Sequence, residues 1–202
     1  LFYIPGTNAM EGIIEPQLAF SRDLTDEWQR PARTPIIPLG EEGSFDDSMI
    51  VTSSTALEVG DEVWMYCGAW DGNHGTSVRE ASTFIAKWRL DGFASLDSED
   101  EGIITTRPFT FDGESLYINA NASEGTLLAE LLDENGNVID GFTKEECRAI
   151  TSDSVKHAVY WNGSNDVSAL AGEEISLRIY SENSQVYSFV FGERTLTAPE
   201  SI

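Results

Sequence analysis

Almost every apolar segment of the chain is short, rich in β-branched or aromatic residues, and closed at both ends by Gly, Asn, Asp or Pro. That is the pattern of strands joined by turns. No stretch keeps a helical period over three turns, so the chain is expected to be all-β. The strand segments read as 1–5, 14–22, 49–58, 62–68, 82–90, 103–107, 115–120, 125–132, 137–140, 155–161, 174–181 and 185–192. One short helix is expected at 143–147 and a turn at 166–170.

The 202 residues include 10 Phe, 6 Tyr and 5 Trp, spread along the whole length, and 41% are hydrophobic. This is enough to bury a sizeable core in one or two domains. Against 35 acidic residues stand 12 basic ones, a net charge of -23. Such a surface repels phosphate backbones, and the scattered basic residues make no stripe, so nucleic acid is excluded as a partner. No apolar run has the roughly 18–20 residues that span a bilayer, so no membrane partner is expected. Acid-rich and with Lys only at 87, 144 and 156, the surface suits a saline medium, and the expected setting is marine or halophilic, extracellular or periplasmic. Cys67 and Cys147 show neither CxxC spacing nor a neighbouring His and read as two buried thiols. Asn121-Ala-Ser and Asn162-Gly-Ser match the glycosylation acceptor triplet, a weak signal.

Two textures divide the chain. In residues 1–97, LFYIPG is followed by QLAFSRDLTDEWQRP, and VWMYCG by FIAKWRLDGFASL. Each unit is an aromatic strand ending in Gly, a loop, then a strand with an Arg, as in a propeller blade; two unrelated hairpins of similar composition would read the same. From Gly102 on, evenly spaced strands such as SLYINANA, TLLAELLDENGNVI, EISLRIY and QVYSFVFG read as a jelly-roll-like β-sandwich over 103–193, followed by a tail at 194–202. The acidic run 95–102 is expected to be an exposed connector, because Asp97, Glu99, Asp100 and Glu101 cannot lie unpaired in a core. Asn135-Gly136 supplies a tight hairpin turn. Asp133, Asn135 and Asn137 imitate a calcium loop, but Val138 stands where the loop needs Gly and no Glu closes it, so no metal and no cofactor is expected.

At FSRDLTDEW, GSFDDSMIVTSS, EVWMYCGAWDG and RLDGFASL the chain resembles the C-terminal part of glycoside hydrolase family 32- or 43-like proteins. The two long sandwich phrases resemble the C-terminal sandwich of many bacterial members. The resemblance implies a five-bladed β-propeller with an appended β-sandwich, and carbohydrate as partner. The 97 residues before the sandwich hold at most about two blades, so the chain is expected to be a fragment. The family's Trp-Asn-Asp-Pro type motif has no counterpart here. Arg22-Asp23 is followed by Leu24 rather than Pro, and Glu146-Cys147 imitates the family's acid-bearing pair from within the sandwich half, where it reads as coincidence.

Glycoside hydrolysis needs two carboxyl groups facing each other across the scissile bond. Among 35 acidic residues only context discriminates, and carboxylates set among aromatics and Gly in loops are the ones placed to meet a sugar ring. Asp46 and Asp47, in Gly43-Ser-Phe-Asp46-Asp47-Ser-Met49, are the catalytic candidates. Trp70, Asp71 and His74 in the loop after the next strand, Arg79 beyond it, paired with Glu80, and Glu15 at the start of a blade strand are the substrate-binding candidates. The plain alternative is that Asp46 caps a turn and Trp70 only packs. His157, alternating with Val155 and Val159, reads as structural, and Tyr117, Tyr160, Trp161, Tyr180 and Tyr187 as a core unless several share an outer face.

Three functions follow: the C-terminal portion of a carbohydrate-active glycoside hydrolase, inactive alone; a non-catalytic carbohydrate-binding or structural module; or a partial ring completed by another chain, a homo-oligomer through open blade edges.

Overall fold

A computed structural model describes residues 2–3, 12–21 and 27–193. The Arg22-Asp23 turn and the tail at 194–202 lie outside the described residues, as do the remaining positions of the 1–5 strand. The chain is all-β and divides into two compact units, Leu1–Ala94 and Ser95–Ile202. Among the described residues, no helix is long and apolar enough to cross a membrane.

In the first unit, β1 (Phe2–Tyr3) pairs antiparallel with β2 (Glu15–Pro16). A four-stranded antiparallel sheet follows, made of β3 (Met49–Thr52), β4 (Leu57–Val59), β5 (Glu62–Trp70) and β6 (Ala81–Arg89). β6 pairs along the whole of β5, and β3 and β4 share its other edge. Alternation on β5 sends Val63, Cys67 and Ala69 inward and leaves Trp64, Tyr66 and Trp70 on the other face. The buried centre is small: Ile50, Cys67 and Ala69, with Ile37, Leu39, Met65, Phe84 and Ala86 packed around them.

The second unit is a five-stranded antiparallel sheet built on β11 (Ser176–Phe191). One edge of β11 carries β7 (Leu96–Thr105); the other carries β9 (Thr126–Leu132) and then β8 (Leu116–Asn121), with β10 (Asp153–Ala158) beyond β8. Its core joins Leu116, Ile118, Leu127, Leu131, Val159, Trp161, Ile175, Leu177 and Ile179. Both cysteines are buried free thiols, as expected, and burial raises the pKa of each.

Four expectations are corrected here. The two strands read at 174–181 and 185–192 are one, because the polar Glu182-Asn183-Ser184 is a bulge: Asn183 takes φ 43 and the register shifts against β7. The acidic run at 95–102 is not a connector. It is exposed, but β7 pairs it with β11, and charges on an edge strand discourage pairing with other chains. Residues 143–147 form a turn, not a helix, where Glu146 accepts from Thr143 N and Oγ1 at 3.2 and 3.0 Å and from Asn162 Nδ2 at 2.8 Å. Of the aromatic residues read as core, only Trp161 is buried; Tyr117, Tyr160, Tyr180 and Tyr187 are half-buried, and the first three each face a cation, Lys156, Arg148 and Lys144.

The hairpin turn at 133–137 forms as the sequence demands, with Gly136 at φ 80. Asp133 Oδ1 accepts from Asn135 N and Asn137 N at 2.9 and 2.8 Å, and Oδ2 from Asn137 Nδ2 at 3.1 Å. Its carboxylate closes its own loop. The Asn137 donors hold its pKa below the usual aspartate range. A lowered folded-state pKa means stability present above the unfolded value and lost as the pH falls through the folded one. The melting-temperature gap between wild type and Asp133→Ala is therefore expected to be full above about pH 5 and to close below about pH 4. Comparing the two proteins cancels the effect of net charge, and a gap independent of pH would show that the carboxylate is not the stabilising group.

Candidate functional site

The sequence-derived candidates gather at one end of the four-stranded sheet. Ile14 bridges Met49, its N–H donating to Ser48 O at 3.1 Å and its carbonyl accepting from Ile50 N at 2.9 Å. Ser48 N donates to Trp70 O at 3.2 Å, and His74 N to Gly12 O at 3.3 Å. The Asp46–Asp47 loop, the Trp70–Arg79 loop and the segment leading to Glu15 are thus neighbours in the backbone.

Their side chains serve their own loops. Asp46 Oδ1 accepts from Ser44 Oγ at 2.7 Å, and Asp47 from Ser48 Oγ at 2.7 Å and Gly43 N at 2.8 Å. The Ser48 hydroxyl, then the Gly43 amide, hold Asp47 below the usual aspartate range, which suits a fixed anion and not a proton donor. Asp71 Oδ1 accepts from Glu80 N at 2.6 Å, and Arg79 Nη1 donates to the carbonyls of His74 and Asn73 at 2.9 and 3.3 Å. Arg79 therefore closes its loop through backbone oxygens rather than through Glu80. His74 is exposed, and Glu15 is half-buried in β2. Trp70 lies against Gly68, where a Cβ would stand 2.9 Å from its Cη2, so its indole covers its own strand. His157 Nε2 lies 3.2 Å from Ala120 O, consistent with a structural part.

A cleft of about 360 Å³ opens elsewhere in the first unit, walled by Pro16, Gln17, Leu18, Ala19, Trp28, Ile36, Thr52, Met65, Trp88 and Phe93. The fold explains each wall. Alternation on β6 puts Trp88 on the same side as Phe84 and Ala86, and on β5 Met65 faces that side. The turn at Asp91-Gly92 returns Phe93 onto Trp88, ring centroids 5.4 Å apart. The Phe20–Gln29 bridge brings Trp28 up, 52% exposed, and Phe93 is 36% exposed. Gln17 is 9% exposed, with both ends of its amide engaged: Nε2 donates to Arg33 O at 3.1 Å and Oε1 accepts from Arg30 Nη1 at 3.0 Å. Among the described residues, no carboxylate lines this cleft.

The sequence reading passed over Trp28, Trp88, Phe93 and the Gln17–Arg30 pair. The signal available in the sequence is the recurrence of Trp with a nearby Arg, two residues on in DEWQR and adjacent in AKWRL. A second cavity of about 310 Å³ lies on the second unit between Ile103, Leu128, Tyr180 and Lys144. There the aromatic face is already covered, with Lys144 Nζ 4.3 Å from the Tyr180 ring.

Comparison with protein-family models, with curated proteins and with solved structures finds no match to this chain.

Proposed function

We propose that this chain is a non-catalytic carbohydrate-binding portion of a glycoside hydrolase-like protein, with an incomplete propeller in its first unit, a jelly-roll-like sandwich in its second, and its sugar site in the Trp28–Trp88–Phe93 cleft. The observation that carries the reading is the lining of that cleft: exposed aromatic faces for sugar rings, a fixed amide beside them, and no carboxylate among the described residues. Aromatic faces pack on the apolar side of a pyranose, and polar groups at the margin orient it. Hydrolysis needs a carboxyl pair, and Asp46 and Asp47, the candidates for one, are engaged in their own turn.

Calorimetric titration with a panel of oligosaccharides tests this. At least one sugar is expected to bind wild type, and Trp28→Ala to weaken it by about tenfold. Aryl-glycosides are expected to stay intact. Flat titrations across the panel would overturn the binding reading, and turnover abolished by Asp46→Asn would overturn the non-catalytic one.

A further inference from the structure

We propose that the cleft selects acidic sugars, hexuronates, and that Arg30 is the residue that reads their carboxylate; this rests on the reading of the cleft as a carbohydrate site. The chain carries 35 acidic residues in 202, yet none of them is among the described residues lining the cleft. The described wall of the cleft thus sets no like charge against an anion.

A cation is fixed beside it. On an extended segment, residues two apart point to one side, and Trp28 and Arg30 flank Gln29, which bridges Phe20. Arg30 Nη1 reaches Gln17 Oε1, a lining side chain, at 3.0 Å. Gln17 is 9% exposed, and its amide cannot turn without losing its bond to Arg33 O. Arg30 is exposed at the margin of the cleft, and this bond to a buried amide oxygen tethers its guanidinium there. The other guanidinium nitrogens offer the forked donors that match a carboxylate. A pyranose stacked on Trp28 presents its C5 substituent at the ring edge, where a uronate carries its carboxylate.

The net charge of -23 opposes any anion at long range. At an ionic strength near 0.15 M, however, charges beyond about 8 Å are largely screened. The contact with Arg30 then decides, and a charge-assisted pair outweighs the remaining repulsion.

The test is calorimetric titration of the full chain, in about 0.15 M salt, with matched oligosaccharides: oligomers of glucose, mannose and galactose against oligomers of glucuronate, mannuronate and galacturonate. For at least one backbone the uronate is expected to bind about tenfold more tightly than its neutral partner. Arg30→Gln should erase the difference between the uronate and its neutral partner, with Arg30→Lys in between. Trp28→Ala should weaken both members of the pair. Neutral sugars bound as tightly as uronates, or a uronate preference that survives Arg30→Gln, would overturn the inference and leave the carbohydrate reading standing. No binding by either set would overturn both.

Discussion

Alanine at position 161 is expected to lower the stability of the second unit by about 3–5 kcal/mol, the range for removing a buried Trp. Trp161 is 3% exposed within the core of the second unit, and its ring meets that of Phe142 edge-on, centroids 5.4 Å apart. Its Nε1 donates to Ala129 O at 2.9 Å, while Ala129 N donates to Cys147 Sγ at 3.2 Å. Truncation thus leaves both a cavity and an unpaired buried carbonyl, two penalties that reinforce each other. Trp161→Phe keeps most of the volume and loses only the hydrogen bond, so it should cost markedly less. Denaturant unfolding followed by the near-ultraviolet signal checks both, and an alanine variant within about 1 kcal/mol of wild type would mean that the site collapses around the gap.

The stability of the second unit depends on where it begins. A fragment starting at Ser95 is expected to melt cooperatively on its own; one starting at Ile103 is expected to lose most of that stability. The later start removes Leu96–Gly102 from β7 and with it the pairing of Ser181, Glu182, Ser184, Gln185 and Val186. It also removes Ser98, whose hydroxyl lies 2.6 Å from that of Ser181, itself 2.7 Å from that of Ser184. Ser181 and Ser184 are each 4% exposed. Several backbone bonds at about 0.5–1.5 kcal/mol each, with buried hydroxyls left short of partners, amount to a loss on the order of 5 kcal/mol. Amide spectra of the two fragments decide it. Equal dispersion and equal melting would mean that the acidic strand is dispensable and that the core alone defines the unit.

That edge strand shows where sequence reasoning stopped. The alternating positions Leu116, Ile118, Leu127, Leu131, Leu177 and Ile179 place the core correctly, because a half-buried strand writes its inward face at a period of two. Asp97, Glu99, Asp100 and Glu101 carry no such record. An edge strand needs only backbone pairing, and its charges need only water, so it reads like a linker. The bulge at Asn183 misleads in the opposite direction, since the polar triplet 182–184 looks like the end of a strand and, with Asn183 alone at positive φ, is only a bend in one. Phe189 is 38% exposed, its ring tilted against that of Phe109 and edge-on to that of Phe191 at the margin of the core.

The candidate site was legible by residue type and not by position. Trp70, the ring that the loop pattern singles out, lies down on its own strand where the missing side chain at Gly68 leaves room for it. Trp28, Trp88 and Phe93, which line the cleft, are singled out by no such pattern. The carboxylates Asp46 and Asp47 stand in the loop expected of them, but nothing in a one-dimensional pattern shows that Ser44, Ser48 and Gly43 occupy their oxygens. The Gln17–Arg30 pair spans 13 residues, a separation that no local motif registers.

The proposed sugar site is the Trp28–Trp88–Phe93 cleft. The indole N–H signals of Trp28, Trp64, Trp70, Trp88 and Trp161 in a nitrogen–proton correlation spectrum, recorded while the tightest oligosaccharide of the calorimetric panel is titrated in, test it most directly. The signals of Trp28 and Trp88 are expected to move together and saturate, while that of Trp161, bonded to Ala129 O within the core, stays in place. Movement of the Trp70 signal with Trp28 and Trp88 unmoved would place the sugar at the Asp46–Asp47 loop and contradict the claim.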